Sequence, residues 1–217
     1  MTESEQKRLL VEGRDDLYAV ANLLKRHIDW KDDDPPLEII DCNGSSLLEG
    51  EEISVRLKSS DTKILGIVLD ADGDCRGKWE QIRRLCLPHI TNMPKALPRE
   101  GLIVPSRQGR FGVWIMPDNR HPGMLETFLK SLVPEKHERL LSYAEMTSKR
   151  AKSRFGAPYG DTHYDKAVMR TWLAWMDPPG KPFGTAVKAR MLDADACMAK
   201  PFLKWLRDLY EFNVPSD

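Results

Sequence analysis

Apolar residues are distributed along this chain as short runs, each followed by a stretch with helical spacing. Leu9, Leu10 and Val11 form one run that stops at Glu12-Gly13, and Leu17, Val20, Ala21, Leu23 and Leu24 then recur at helical intervals up to His27. The pattern predicts strand, tight turn, helix. After the acidic, proline-containing loop 31–36, Leu37 to Ile40 read as a second strand ending at Asp41-Cys42-Asn43-Gly44, with a helix expected within Ser45 to Lys58. Lys63 to Leu69 is the strongest buried-strand signal, because Ile64, Leu65, Ile67 and Val68 form a nearly continuous apolar run rather than an alternating one. It stops at Asp70-Ala71-Asp72-Gly73-Asp74, and a helix carrying Trp79, Ile82, Leu85 and Cys86 is expected to follow, ending before Pro88. Gly101 to Pro105 and Phe111 to Met116 read as two further strands, with a hairpin expected around 107–110. A loop at 117–122 then leads to a helix from Gly123 to Leu132.

Strands that alternate with helices predict an α/β fold: a Rossmann-like, mostly parallel sheet with helices on both faces. From Pro134 the texture changes to helical segments at about 135–150, 163–176 and 198–211, separated by a loop at 177–184. The expected organisation is therefore a core over 1–133 and a helical extension over 134–217 packed on it. Trp172, Trp175, Trp205 and Tyr210 lie in these helices, and packing explains them better than base stacking.

In parallel sheets, loops at the carboxyl ends of the strands carry chemistry without disturbing the core. Glu12, Asp70 and Asp118 all come just after apolar runs, at that edge. Asp70 and Asp72 flank one residue, so both carboxylates can turn to one side, and Asp74 repeats the spacing after Gly73. Hard divalent cations are held by such oxygen donors together with substrate phosphates. The competing account is a helix N-cap with neighbouring acids favoured by the helix dipole. Asp193-Ala194-Asp195 has the same spacing without a preceding strand and reads as loop.

With Leu10-Val11-Glu12-Gly13-Arg14-Asp15-Asp16, the order strand-Glu-Gly, helix, strand, apolar strand-Asp-x-Asp resembles the TOPRIM domain of topoisomerases, bacterial primases and nucleases of the overcoming-lysogenization-defect (OLD) type, over about residues 8–130. The resemblance implies that Glu12 is the TOPRIM glutamate and that Asp70 and Asp72 are its Asp-x-Asp. Asp16 then matches the second acid of the nuclease branch's Glu-Gly-x-x-acid motif, and Glu126, in Met124-Leu125-Glu126, its later Leu-Glu ligand. The segment Phe111 to Leu129 is also similar to small stand-alone bacterial TOPRIM-like proteins.

An Mg²⁺- or Mn²⁺-dependent nuclease is the activity this resemblance implies. Glu12, Asp70 and Asp72 would anchor one ion, and Asp16, Asp74 or Glu126 would help hold a second. Five or six carboxylates so close would repel one another without cations. Lys166 and the run Lys149-Arg150-Ala151-Lys152-Ser153-Arg154 are the candidates for electrostatic help, against the plainer reading of solvated surface. Nucleic acid is the expected partner, and the OLD branch adds a partner ATPase. Two alternatives stand beside the nuclease. Val68-Leu69-Asp70-Ala71-Asp72-Gly73 also resembles the opening motif of haloacid-dehalogenase-type phosphatases, with Asp70 as nucleophile, although that motif normally begins its domain and continues with Thr or Ser. A degenerate domain that binds nucleic acid or an ATPase without catalysis is the other.

Composition narrows the remaining classes. Lys plus Arg and Asp plus Glu balance at 33 each, yet residues 1–80 carry 11 basic and 19 acidic side chains, a net −8, and residues 81–217 carry 22 and 14, a net +8. An acidic part suited to metal precedes a basic part suited to phosphates. Cys42, Cys75, Cys86 and Cys197 form no Cys-x-x-Cys pair and are expected to be buried free thiols. The five histidines show no metal-ligand spacing, with His163 the one worth testing, and Tyr159 and Tyr164 are poor candidates for a tyrosine nucleophile. The glycines at 180 and 184 lack the Gly-Lys-Ser/Thr of a phosphate loop. The polar start from Met1 to Lys7 and the absence of any long apolar stretch predict a cytoplasmic protein without a membrane span.

Overall fold

The computed structural model of the chain describes residues 6–43, 46–49 and 52–212. Five strands, β1 (Lys7–Val11), β2 (Glu38–Asp41), β3 (Ile64–Asp70), β4 (Leu102–Pro105) and β5 (Arg110–Met116), form one sheet in the order β2-β1-β3-β5-β4. All neighbours are parallel except β4 with β5, which form the expected hairpin at one edge. β3 is central and buried from Ile64 to Leu69, as its unbroken apolar run requires.

Helices α1 (Arg14–Leu24), α2 (Ser46–Glu49), α3 (Glu52–Lys58), α4 (Cys75–Cys86) and α5 (Leu125–Lys130) alternate with the strands. The start of the helix expected from Ser45, and its middle at residues 50 and 51, lie outside the described residues. Downstream come α6 (Glu138–Phe155), α7 (Tyr164–Ala174), α8 (Phe183–Lys188) and α9 (Ala199–Tyr210). α8 corrects the expectation of a loop through Gly184: after Pro182 ends the turn, Phe183, Ala186 and Val187 recur at helical spacing and bury against the core.

Each sheet face has its own apolar layer. Leu9, Val11, Val68, Trp114 and Met116 point to α1, α5, α7, α8 and α9, whereas Leu10, Leu65, Ile67, Phe111 and Val113 point to α3 and α4. The period-2 alternation of the strands produces this split. The C-terminal helices thus share the core of the sheet: Trp205 donates its indole N–H to the Leu102 carbonyl at 2.9 Å, and the Tyr210 hydroxyl donates to the Arg8 carbonyl at 2.7 Å. Trp172, Trp205 and Tyr210 are buried as expected, but Trp175 is 41 % exposed. Cys75 and Cys86 are buried free thiols, Cys42 is partly covered, and Cys197 is exposed because it lies in the surface loop before α9. Among the described residues no helix is long and apolar enough to cross a membrane.

Gly66 on β3 and Gly112 on β5 are paired in register, and α9 lies directly over them. A Cβ at Gly66 would stand 2.4 Å from the Tyr210 hydroxyl and 2.9 Å from Leu9 Cδ1. Gly66→Ala is expected to destabilise the fold by about 1–3 kcal/mol through overpacking, read as a lower denaturant midpoint with unchanged slope. Retained wild-type stability would mean that α9 can lift off the sheet without loss.

Candidate acidic site

β1 connects outward to β2 and β3 lies on its other side, so the chain winds in opposite directions from β1, and a crevice opens where the carboxyl ends of β1 and β3 meet. Glu12 comes directly after β1 and Asp70 ends β3, which brings two acids 58 positions apart into direct contact: the Asp70 backbone N–H donates to Glu12 Oε1 at 3.1 Å. Asp16, in the first turn of α1, is buried beside them.

The fourth acid arrives through a backbone clamp. Asp72 adopts a left-handed conformation (φ 51°), which aspartate tolerates better than most residues. Its N–H and C=O pair with the C=O and N–H of Gly123, both at 2.8 Å. Gly123 has φ +141°, and a Cβ there would sit 2.7 Å from Thr127 Oγ1, so the position suits glycine. That bridge sets the start of α5 at Leu125, whose N–H donates to Asp70 Oδ1 at 2.8 Å, and places Glu126 in the interior with its side chain 3 % exposed.

The electrostatics record the convergence. Burial raises the Asp70 carboxyl well above its ordinary range, and Asp16, Glu12 and Glu126 push it the same way. Burial, then the charges of Glu12 and Glu126, push Asp16 up to about 7. Burial also raises Glu12, against the Asp70 N–H bond and the nearby Lys78 ammonium, which favour its charged form.

Two lysines face the group from opposite sides. Lys166, in the first turn of α7, stands 3.2 Å from Glu126 Oε1 and is 48 % exposed, so it reaches both the acids and solvent. α7 is held there by Lys130, which pairs with Asp165 at 2.6 Å and with Glu145 of α6 at 3.2 Å, and by Arg170, which reaches Asp15 of α1 at 2.6 Å. Lys78, in α4, lies 2.9 Å from Asp72 Oδ2 and 3.9 Å from Glu12 Oε1. Sequence reasoning missed Lys78. Its signal was its place one turn into the helix that succeeds the Asp-x-Asp, but its reach depends on where α4 begins.

Of the acids singled out, Glu12, Asp16, Asp70 and Glu126 form one electrostatic group, and Asp72 stands at its rim, 49 % exposed and paired with Lys78. Asp74 is the N-cap of α4, accepting from the Gly77 N–H at 3.0 Å, which is the helix-start role weighed for this motif. Asp118 accepts from the backbone N–H groups of Arg120 and His121 and pairs with the His121 ring at 2.7 Å, a turn of its own. The Tyr159 and Tyr164 hydroxyls donate to backbone carbonyls of α6, and His163 is exposed at the start of α7. Asp193 accepts the Asp195 N–H in a loop. A cavity of about 860 Å³ between α9, β4 and the end of α1 is lined by none of the site acids.

In chemical type the donors suit a hard divalent cation: carboxylate oxygens at a buried, mutually repelling corner. Among the described residues, no group of three or more His, Cys, Asp or Glu side chains is placed, as the side chains stand, to hold a metal ion. The reason is visible: Glu12 Oε1 and Asp70 Oδ1 rest on backbone N–H groups, and Asp72 and Glu126 on ammonium groups.

Comparison with known proteins adds a family and no activity. The family model described as "Protein of unknown function (DUF3226)" matches residues 6–211. No curated protein and no solved structure matches the chain.

Proposed function

We propose that this chain, which belongs to the DUF3226 family, is a TOPRIM-like enzyme that performs divalent-cation-dependent phosphodiester chemistry on nucleic acid, with hydrolytic cleavage as the reaction. The observation that carries the reading is the meeting of Glu12, Asp16, Asp70 and Glu126, from three separate stretches of the chain, at the carboxyl edge of β1 and β3. Their mutual repulsion stabilises nothing in the fold, and an anionic corner of this kind suits a cation and, through it, a phosphate.

Glu12, Asp16 and Asp70 would hold Mg²⁺ or Mn²⁺, with Asp72 and Glu126 supplying further oxygens. A bound ion would supply polarisation of a phosphoryl oxygen and a more acidic water. Asp70 keeps its orientation through the Leu125 N–H, and Glu12 through the Asp70 N–H. Lys166, half in solvent beside Glu126, binds and orients a non-bridging phosphate oxygen and offsets the charge that develops there. The buried side of the group, formed by Asp16 and Glu126, excludes bulk water.

The test is incubation of the purified chain with single-stranded and duplex DNA and RNA in EDTA, Mg²⁺ or Mn²⁺. Cation-dependent cleavage by the native chain, absent in Asp70→Asn, is the expected result. Release of phosphate from a monoester with a trapped phosphoaspartate on Asp70 would replace the nuclease reading with a phosphatase. Binding of nucleic acid without cleavage under any cation, unchanged by Asp70→Ala, would leave a binding module.

Lys78 supplies a separate prediction. Its ammonium competes with a cation for Asp72 and Glu12, so Lys78→Met is expected to tighten Mn²⁺ binding by roughly tenfold, about 1.4 kcal/mol. Titration calorimetry at pH 8 reads this directly; weaker binding would make Lys78 a residue that positions Asp72 for the ion.

A further inference from the structure

We infer that the exposed face of α6 is a binding surface for single-stranded nucleic acid, which deepens and rests on the function proposed above by naming its substrate class. α6 buries Ala144 and Ser148 and turns the opposite side to solvent. Past Glu138, the exposed acid at the first position of α6, the exposed residues include Arg139, Tyr143, Met146, Lys149, Arg150 and Arg154, and none of these is acidic. The one acid in that stretch, Glu145, is partly covered and paired with Lys130. Lys152, by contrast, is engaged with Asp161 and the Tyr159 ring. Among the described residues Lys149, Arg150 and Arg154 make no ion pair, so these cations are available to an anionic partner.

A basic stripe alone fits any polyanion. The aromatic residues beside it narrow the choice. Trp175 caps the end of α7 and packs against Tyr143 with ring centroids 5.4 Å apart, and both remain exposed, at 41 % and 52 %. The cores nearby accommodate Trp172 and Trp205 fully, so burial was attainable for a tryptophan of these helices. An exposed pair of rings on a cationic face matches the stacking platform and electrostatic track by which unpaired bases and their backbone are held. A duplex offers no unstacked base to such rings.

The direction of the stripe joins it to the acids. Tyr143 meets Trp175 at the end of α7, whereas Lys152 near the end of α6 meets Asp161 in the turn just before α7. The basic end of α6 therefore lies beside the turn that leads into α7, whose first turn carries Lys166 to Glu126. From Tyr143 to Arg154 the helix rises about 16 Å, a track on which a strand stacked at the aromatic end leads its phosphates towards the acidic crevice.

The experiment is fluorescence anisotropy of a labelled single-stranded oligothymidylate and of a duplex of equal length with the full chain in EDTA, over a series of salt concentrations. Joint replacement Lys149→Glu, Arg150→Glu and Arg154→Glu, at exposed positions that leave the core untouched, is expected to weaken single-strand binding more than tenfold and to flatten its salt slope by about 2. Tyr143→Ala and Trp175→Ala are each expected to weaken the single strand by about tenfold and to leave the duplex unchanged. Charge reversal without effect on affinity would overturn the assignment. So would a duplex bound as tightly as the single strand with the aromatic variants inert, or binding to vesicles of phosphatidylserine without binding to any oligonucleotide. Because the readout contains no divalent cation and no cleavage, a chain that binds through α6 yet never cleaves with Mn²⁺ upholds the surface and refutes the catalytic reading, and cleavage that survives charge reversal does the opposite.

Discussion

Asp70→Asn will lower cation-dependent cleavage by about a thousandfold or more, roughly 4 kcal/mol of transition-state stabilisation, while the folded chain becomes no less stable in EDTA. The two halves of this expectation have one cause. Asn keeps an oxygen at the position that accepts the Leu125 N–H, so the clamp between β3 and α5 persists. It removes the negative charge that burial, Asp16, Glu12 and Glu126 all oppose. A carboxylate kept for structure behaves oppositely, since removing it costs stability and leaves chemistry to others. Glu12→Gln should show the same pattern, because its amide oxygen can still accept the Asp70 N–H. Activity is measured on an oligonucleotide with Mn²⁺, and stability by urea unfolding in EDTA. Loss of folding in both variants would show that Glu12 and Asp70 are structural acids, and undiminished cleavage in Asp70→Asn would remove the crevice from the mechanism.

Glu12 and Asp70 were legible in the sequence because each comes directly after an apolar run, and in a parallel sheet the end of the run is also the edge where loops converge. The central position of β3 was legible for a related reason: a strand buried on both faces has no polar alternation to interrupt it. Glu126 was legible only by resemblance. Nothing local says that Gly123 bridges Asp72, and without that bridge the acid in the first turn of α5 has no defined direction. Lys78 was hidden because its reach is set by the helix start that Asp74 caps, and the Asp-x-Asp-x-Asp spacing does not say which acid is the cap. α8 was obscured by the prolines and glycine before it, although Phe183, Ala186 and Val187 carried its period. Trp175 reads in the sequence like the buried tryptophans of the same helices, but it lies past the last helical residue of α7, where its ring packs on the exposed Tyr143.

The cation-free chain should be more stable at pH 5 than at pH 8 by roughly 5–10 °C in melting temperature, and Mn²⁺ should close most of that gap at pH 8 while doing little at pH 5. Asp16 is 8 % exposed, and its folded-state pKa stands at about 7 against an ordinary 3.8. Asp70 and Glu12 are raised in the same direction. Between those limits the folded chain holds protons that the unfolded chain has released, so stability falls as pH rises through the window. The Asp16 shift alone corresponds to a ceiling of roughly 4 kcal/mol once it is fully ionised. Groups with lowered values act elsewhere: Asp61, held at about 2 chiefly by its hydrogen bond from Arg8, contributes stability that is lost only below its ordinary 3.8. A cation bound by the same carboxylates stabilises their ionised forms, which reverses the penalty at pH 8, and at pH 5 protons compete for the same oxygens. Calorimetric scans in EDTA and in Mn²⁺ at the two pH values decide the matter, with Asp16→Asn expected to flatten the EDTA profile. A cation-free chain equally stable at both values would mean that these carboxylates are neither crowded nor desolvated enough to need an ion, and the metal assignment would lose its physical basis.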